Sequence, residues 1–267
     1  MSKLQILLTN DDGIQSPGLW AAAESLSSIG FVTVAAPRDQ SSGMGRSLPS
    51  ASDGIIKKET VEVGGKSWVV YAVGGTPAQA VQQGVLEIME DKPDLVVSGI
   101  NYGENVASGI TISGTVGAAL EGASFGIPSL AISLQTKSGL HFSHSKEVDF
   151  STAAYFAAYF GRVLLRRKMP FDVDVLKVDV PSKATIDTAW QLTRVSRQRY
   201  YEPLAPSRDS WEERSTLRYK EKMIVERAGV NSDVQILRTK GLVSVAPISL
   251  DLSSRVNLVE LEEIIRS

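Results

Sequence analysis

Short apolar runs alternate with amphipathic stretches along the first 180 residues. Residues 4–9 form an apolar run that predicts a buried strand. Ser16, Pro17 and Gly18 then indicate the start of a helix, with serine as N-cap and proline at the first helical position. A second apolar run at 31–36 completes a strand–helix–strand unit, which is typical of a parallel sheet.

The same alternation continues downstream. Thr76 and Gln79 have the spacing of a capping box and predict the start of another helix. The other predicted elements are β-rich sequence over 61–73, strands at 95–98, 127–133 and 175–180, and helices at 114–125 and 150–166. We therefore expect an α/β protein with a doubly wound, mostly parallel, Rossmann-like sheet.

The pattern changes after Pro181. Residues 190–227 mix aromatic side chains with charges of both signs, which indicates extended, partly exposed structure such as long hairpins. One more strand is predicted at 241–248 and a terminal helix at 257–265. We expect an α/β core over 1–185 and a C-terminal extension over 186–267, packed on the core and contributing to subunit contacts.

Composition excludes several classes of protein. The 267 residues carry a net charge of −2, from 28 basic and 30 acidic side chains, which disfavours a nucleic-acid polymer as the main partner. There is no cysteine, so disulfides, thiolate catalysis and cysteine-bound metals are excluded, and histidine occurs only twice. No apolar run is long enough for a membrane span and no signal peptide is evident, so we expect a cytoplasmic location and no membrane partner.

Asp11 and Asp12 follow the first predicted strand directly. Ligands of open α/β sheets bind outside the carboxyl ends of the strands, so this position is a candidate site. Two adjacent carboxylates repel each other unless a cation neutralises them, and Mg²⁺ prefers such oxygen ligands. An Asx-turn with solvated acids is an equally good interpretation of the pattern alone.

Three other polar segments follow predicted strands or begin a helix. Residues 40–45 combine hydroxyls with glycines, and Asn101 offers a neutral amide oxygen. Ser113, Gly114 and Thr115 begin a helix, where free N–H groups favour a phosphate. Taken singly, a plain surface loop and a turn residue are the favoured interpretations of the first two segments, and an ordinary N-cap explains the third equally well. Together they predict a metal-dependent phosphate-ester site at one edge of the sheet.

Other chemical templates do not fit. The sequence has no P-loop motif, no glycine-rich dinucleotide motif after the first strand and no nucleophile elbow. His141 and His144 supply only two nitrogens, and their polar surroundings favour a solvated loop over a metal site.

Several ordered motifs resemble the SurE survival-protein family. They include the segment 7–14 with Asn10 and the two aspartates, Ser41-Ser42-Gly43, Gly75-Thr76-Pro77-Ala78, and the segments 94–103, 113–122 and 127–133. Weaker similarity extends to residue 247, so the resemblance covers essentially the whole chain.

The resemblance implies a metal-dependent phosphatase that acts on nucleoside 5′- and 3′-monophosphates. It implies one Mg²⁺ or Mn²⁺ per subunit, and a homodimer or homotetramer formed through the C-terminal part. The implied metal ligands are Asp11, Asp12, Ser42 and Asn101, with Ser41 one residue away as the alternative to Ser42. Asp11, Asp12 and Asn101 are also the implied catalytic residues, and the phosphate would be held by Asn10, Gly43, Ser113, Gly114 and Thr115.

The chain departs from the family pattern at a few positions. Gln79 replaces a usual acid, Arg46 replaces a smaller polar residue or histidine, and Lys177 and Asp179 lie in a strand that is usually rich in asparagine. A catalytically silent nucleotide-binding module and a phosphatase for non-nucleotide esters therefore remain as alternatives. Phospho-aspartate chemistry is disfavoured, because its two acids are separated by one residue and these are adjacent.

Overall fold

A nine-stranded sheet forms the centre of the molecule. The computed structural model describes residues 4–141, 145, 147–216, 218–222 and 228–267. The strands of this sheet are β1 (Gln5–Thr9), β2 (Phe31–Pro37), β3 (Ile56–Val63), β4 (Lys66–Val73), β5 (Leu95–Tyr102), β6 (Ser129–Leu134), β7 (Val175–Val180), β8 (Trp190–Leu192) and β11 (Val243–Ile248). A separate hairpin pairs β9 (Tyr201–Leu204) with β10 (Arg218–Glu221).

The sheet is mostly parallel. Its strand order is β3-β4-β2-β1-β5-β6-β7-β11-β8. All neighbours from β4 through β7 run parallel, whereas β3 and β11 pair antiparallel with β4 and β7. The predicted doubly wound α/β fold is confirmed.

Helices cover both faces of the sheet, with α1 (Pro17–Leu26) and α4 (Ser151–Arg166) on one face and α2 (Pro77–Gln83) and α3 (Gly114–Ser124) on the other. The short α5 (Asp233–Gln235) and the terminal α6 (Leu258–Arg266) follow later in the chain, and α6 has no buried residue. Ile6 and Leu8 of β1 pack in the core beneath α1 and α4, while Leu7 packs on the opposite face with Val81 and Ala118 of α2 and α3. Alternate residues of one strand thus enter different cores, which is why buried parallel strands appear as continuous apolar runs.

The chain reverses its winding direction at β1. From β1 the chain passes through α1 to β2 on one side, and it later returns through α2 to β5 on the other side. The carboxyl ends of β1 and β5 therefore border a topological switch point, the usual ligand crevice of such sheets.

The end of β5 differs from the sequence expectation. β5 extends to Tyr102 rather than ending at Ser98, because its pairing with β6 shifts register between Ser98 and Asn101 and then resumes. Gly99 makes the irregularity possible: its φ is +133°, and any side chain there would overlap the carbonyl of Ile132. Asn101 therefore lies on a strand and not in a loop.

The extension after residue 185 contributes to the main sheet. Both β8 and β11 pair within it, while β9 and β10 form the hairpin. The division at 185 stays a prediction. None of the helices in the described ranges combines the length and apolar content of a membrane crossing.

Candidate functional site

Asp11 and Asp12 lie buried at the end of β1. Their exposed fractions are 4% and 1%. Thr115 Oγ1 donates to Asp11 Oδ1 over 2.6 Å, so the start of α3 contacts the first acid directly. Asp12 accepts from the main-chain N–H of Tyr102 at 3.1 Å and from Gln40 Nε2 at 3.2 Å. The two acids therefore face different elements, one towards α3 and the other towards the end of β5.

Burial of this acid pair has an electrostatic consequence. Burial raises the pKa of Asp11 to about 6, despite hydrogen bonds from Thr115 and the main chain that favour the ionised form. Burial and the neighbouring charge of Asp11 raise the pKa of Asp12 well above its ordinary value. Both shifts arise because negative charge is confined in a site of low polarity, which a bound cation would relieve.

The N-terminus of α3 is the second component of the site. Ser113 is the N-cap, and its Oγ accepts from the N–H of Val116 at 3.1 Å. Gly114 packs so closely on Asp11 that a side chain there would lie 2.7 Å from Asp11 Cβ. Ser113, Gly114 and Thr115 are thus brought beside Asp11, but the hydroxyls of Ser113 and Thr115 already make contacts within the protein.

The loop after β2 folds over the same helix end. The N–H of Ser41 donates to the carbonyl of Asp11 at 2.7 Å, and that of Gly45 donates to the carbonyl of Ile112 at 3.0 Å. These two bonds anchor the loop on either side of Ser42 and Gly43, and both of these residues are exposed. Gly43 has a φ of +78° with open space around it. Glycine is therefore favoured here by the left-handed backbone conformation and not by a close contact.

Asn101 lies next to Tyr102, whose N–H joins the end of β5 to Asp12. Its Nδ2 donates to the carbonyls of Tyr102 and Gly103, at 3.2 and 2.7 Å. With the nitrogen committed to these carbonyls, Oδ1 is the atom left for other ligands.

Asn10 lies at the turn that follows β1. It is completely buried, and its Nδ2 donates to the carbonyl of Gly13 at 3.1 Å. The side chain thus closes the turn that carries the acid pair. A direct contact with phosphate remains a prediction.

His141 is buried, which makes the expectation of a solvated histidine loop wrong for this residue. It is 8% exposed, and its ring covers Gly103, which has no side chain to block it. Its carbonyl accepts from Gln40 Nε2 at 2.9 Å, so Gln40 joins His141 to Asp12. His144 lies outside the described residues.

Arg46 anchors the loop after β2 from the side. Its Nε donates to Glu121 Oε2 at 2.6 Å, and Glu121 also accepts from Gln82 at 2.9 Å. Part of the positive charge of Arg46 is therefore committed to a buried carboxylate on α3.

The donor set fits a hard divalent cation. Asp11, Asp12, Ser42 and Asn101 offer only oxygen atoms, the ligands that Mg²⁺ and Mn²⁺ prefer. The described residues contain no group of three or more His, Cys, Asp or Glu side chains arranged to hold a metal. Mg²⁺ commonly binds through one or two carboxylates and keeps several waters, so this limited acid count is compatible with it.

Several contacts of the site were not predictable from the sequence. Gln40 lies in a predicted loop, but nothing in the pattern singles out its bond to Asp12. Glu104, buried beside the hairpin and accepting from Tyr200, follows a strand whose continuation was not expected. Both contacts join segments that are far apart along the chain.

Fold and site together define a class: a three-layer α/β protein with a buried carboxylate pair beside a helix N-terminus, at the switch point of a parallel sheet. Comparison with known proteins narrows the class. Residues 6–202 match the family model described as survival protein SurE. The chain belongs to the SurE family.

Relatives match over nearly the whole chain. A protein of Methanococcoides burtonii named 5′-nucleotidase SurE is 39% identical, with 99% of this chain and 100% of that protein covered. One of Thermococcus kodakarensis with the same name is 38% identical, with 98% of each covered. The crystal structure of the SurE protein from Aquifex aeolicus has a TM-score of 0.75 and 32% identity, covering 98% of each chain.

Proposed function

We propose that this protein is a divalent-metal-dependent 5′-nucleotidase that hydrolyses nucleoside 5′-monophosphates, and also 3′-monophosphates, to nucleoside and phosphate. Its family relatives carry the name 5′-nucleotidase. The observation that carries the proposal is the buried Asp11–Asp12 pair directly against the N-terminus of α3. This arrangement combines a cation site with an anion site at one sheet edge.

Asp11, Asp12, Ser42 and Asn101 would hold one Mg²⁺ or Mn²⁺. Such an ion supplies positive charge that polarises a phosphoryl oxygen and lowers the pKa of water. The ion also explains why two ionisable groups are retained in a site that raises the pKa of both.

The protein's own groups orient the substrate. The first turn of α3, from Ser113 to Thr115, directs N–H groups and the positive end of the helix dipole towards the site, where they stabilise phosphoryl oxygens. Gly43, exposed in the loop after β2, would supply a further main-chain N–H. Thr115 holds the carboxylate of Asp11 in place through its hydroxyl. Either aspartate can accept a proton from the attacking water.

Phosphate release from a substrate panel tests this proposal. The panel contains nucleoside 5′- and 3′-monophosphates and p-nitrophenyl phosphate, assayed with EDTA, Mg²⁺ or Mn²⁺. We expect release only with metal, and a loss of at least about a hundredfold in Asp11→Asn, because loss of a charged ligand or transition-state contact has effects of this size.

Asp187→Asn is the matched control. Asp187 is an exposed aspartate outside the site, so its amide variant should keep full activity. Turnover that persists in EDTA, or an unaffected Asp11→Asn, would refute the proposal. Tight nucleotide binding without release under any metal would identify a catalytically silent binding module instead.

We also propose that the protein forms a homodimer or homotetramer through its C-terminal part. The helix α6 has no buried residue, and its apolar side chains Leu258, Leu261, Ile264 and Ile265 are exposed in the single chain. An amphipathic helix without a packing partner is the surface that a second copy of the chain would cover.

A further inference from the structure

An aromatic cluster borders the candidate site. It consists of Tyr200 and Tyr201, at the start of the β9–β10 hairpin, Tyr219 of β10, and His141. Tyr201 contacts each of the others edge to face, with ring centroids 4.7 Å from Tyr200, 5.1 Å from Tyr219 and 6.2 Å from His141. His141 Nδ1 and the hydroxyl of Tyr219 lie 3.3 Å apart, within hydrogen-bond distance. The four rings therefore form one connected unit.

This aromatic cluster rests on the segment that joins the two halves of the site. Residues 102–112 connect Asn101 to Ser113, the metal side to the phosphate side. His141 covers Gly103 at the start of this segment, and a side chain at Gly109 would lie 3.9 Å from the ring of Tyr201. The hydroxyl of Tyr201 also donates to the carbonyl of Glu104 at 3.4 Å.

A second connection runs through Gln40. This amide donates to Asp12 Oδ1 and to the carbonyl of His141, so the aromatic cluster is one side chain away from the acid pair. Residues 102–112, which contact the rings at Gly103 and Gly109, lead directly into the N-terminus of α3.

The rings differ in exposure. Tyr200 is 1% exposed and His141 8%, whereas Tyr219 is 38% exposed. The buried rings fix the hairpin, while Tyr219 is partly exposed and is linked to the acid pair through His141 and Gln40. An ordered aromatic ring that is partly exposed is the surface on which nucleobases stack.

We propose that Tyr219 is the platform for the base of the nucleotide whose phosphate binds at Ser113–Thr115. Tyr201 and His141 act as positioning residues that hold its ring. The proposal rests on the proposed function. It assigns a binding surface to the base, the group that distinguishes a nucleotide from other phosphate esters. Stacking tolerates all bases, so it favours nucleotides over other phosphate esters without selecting one base.

Paired substrates test this assignment. AMP and ribose 5-phosphate share the sugar and the phosphate, but only AMP has a base. With Mn²⁺, we expect Tyr219→Leu to lower kcat/KM for AMP about tenfold, mainly through KM, because stacking a base on one aromatic ring has effects of this size. Activity on ribose 5-phosphate should change by less than about twofold. Tyr219→Phe keeps the ring and should retain AMP activity.

Phe171→Leu is the control. Phe171 is a fully exposed aromatic residue just before β7, at the amino ends of the parallel strands, whereas the candidate site lies at their carboxyl ends. An equal loss on both substrates in Tyr219→Leu would show that the ring only fastens the hairpin. An unchanged kcat/KM for AMP would also overturn the proposal.

Failure of the proposed nucleotidase function can be distinguished from failure of the Tyr219 proposal. If the wild-type protein releases phosphate from neither substrate, titration calorimetry with AMP and with ribose 5-phosphate replaces kinetics. Weaker binding of AMP alone in Tyr219→Leu would still support the platform, and equal affinities in variant and wild type would refute it.

Discussion

Asp11 and Asp12, at the end of β1, are subject to two opposing effects. Burial of a carboxylate favours its neutral form, while cation binding requires the ionised form. Because the folded protein retains a proton on Asp11 up to about pH 6, while the unfolded chain releases it near the ordinary pKa of 3.8, the metal-free protein should lose stability as the pH rises between these values.

Metal binding should therefore depend steeply on pH. Below about pH 6 a proton must leave Asp11 before the cation binds, so we expect Mn²⁺ affinity to fall about tenfold per pH unit, and faster where Asp12 also protonates. Titration calorimetry at pH 5, 6, 7 and 8 measures this, and the thermal stabilisation by Mn²⁺ should grow over the same range. Affinity that is constant from pH 5 to 8 would contradict the prediction.

Lys177 is a buried charged residue outside the candidate site. It is completely buried with Asp179 and Asp233, and its Nζ also donates to the carbonyl of Asn105 at 2.8 Å. Burial alone would lower its pKa, but the two carboxylates outweigh burial and raise it. The cluster joins β7 to the segment after Asn101 and to α5.

Removal of this ammonium group should destabilise the fold. Lys177→Met leaves two buried carboxylates without their cation, and we expect the free energy of unfolding to fall by about 3–5 kcal/mol. Urea denaturation measures the change, with Lys183→Met at an exposed position as a control expected within about 0.5 kcal/mol. A loss below about 1 kcal/mol in Lys177→Met would show that the ion pair contributes little.

At the scale of elements, α3 and the loop after β2 depend on close packing. A side chain at Gly117 would overlap the main chain of Gly45 and Arg46, so the loop rests directly on the helix. The bond from Arg46 to Glu121, one turn further along α3, holds the same contact from the outside. Ser42 and Gly43 are positioned through this packing.

Gly117→Ala should therefore lower activity while the fold is retained. Alanine favours a helix interior by about 1 kcal/mol over glycine, which partly offsets the steric cost. The loop must shift, and we expect activity to fall at least about tenfold while circular dichroism stays native. Gly139→Ala, at a position with open space, should be neutral. Full activity in Gly117→Ala would show that the loop position is not critical.

The sequence predicted the elements whose pattern is local. β7 was expected at 175–180 and lies at Val175–Val180, and the Thr76–Gln79 capping box is present. The end of β5 could not be predicted, because only its pairing with β6 resumes the strand after Gly99. The two aspartates were expected at the sheet edge from chain position alone. Their partners Gln40 and Thr115 depend on tertiary contacts.

At the scale of the whole molecule, the contacts within a single chain do not account for the stability of α6. A helix of nine residues is marginal in water unless it packs against something, and none of its residues is buried. Its apolar residues recur at helical spacing, with Leu258, Leu261 and Ile265 on one side. A second copy of the chain, packed on this side, would remove that apolar surface from water.

Assembly should accordingly depend on α6. We expect light scattering after gel filtration to give a dimer or tetramer for the wild-type protein and a monomer for Leu261→Glu/Ile265→Glu. The single chain should stay folded, because both side chains are exposed within it, at 38% and 74%. Glu263→Gln, an exposed change on the same helix, should leave assembly intact. A monomeric wild type, or an unchanged oligomer in the double variant, would show that α6 is not the interface.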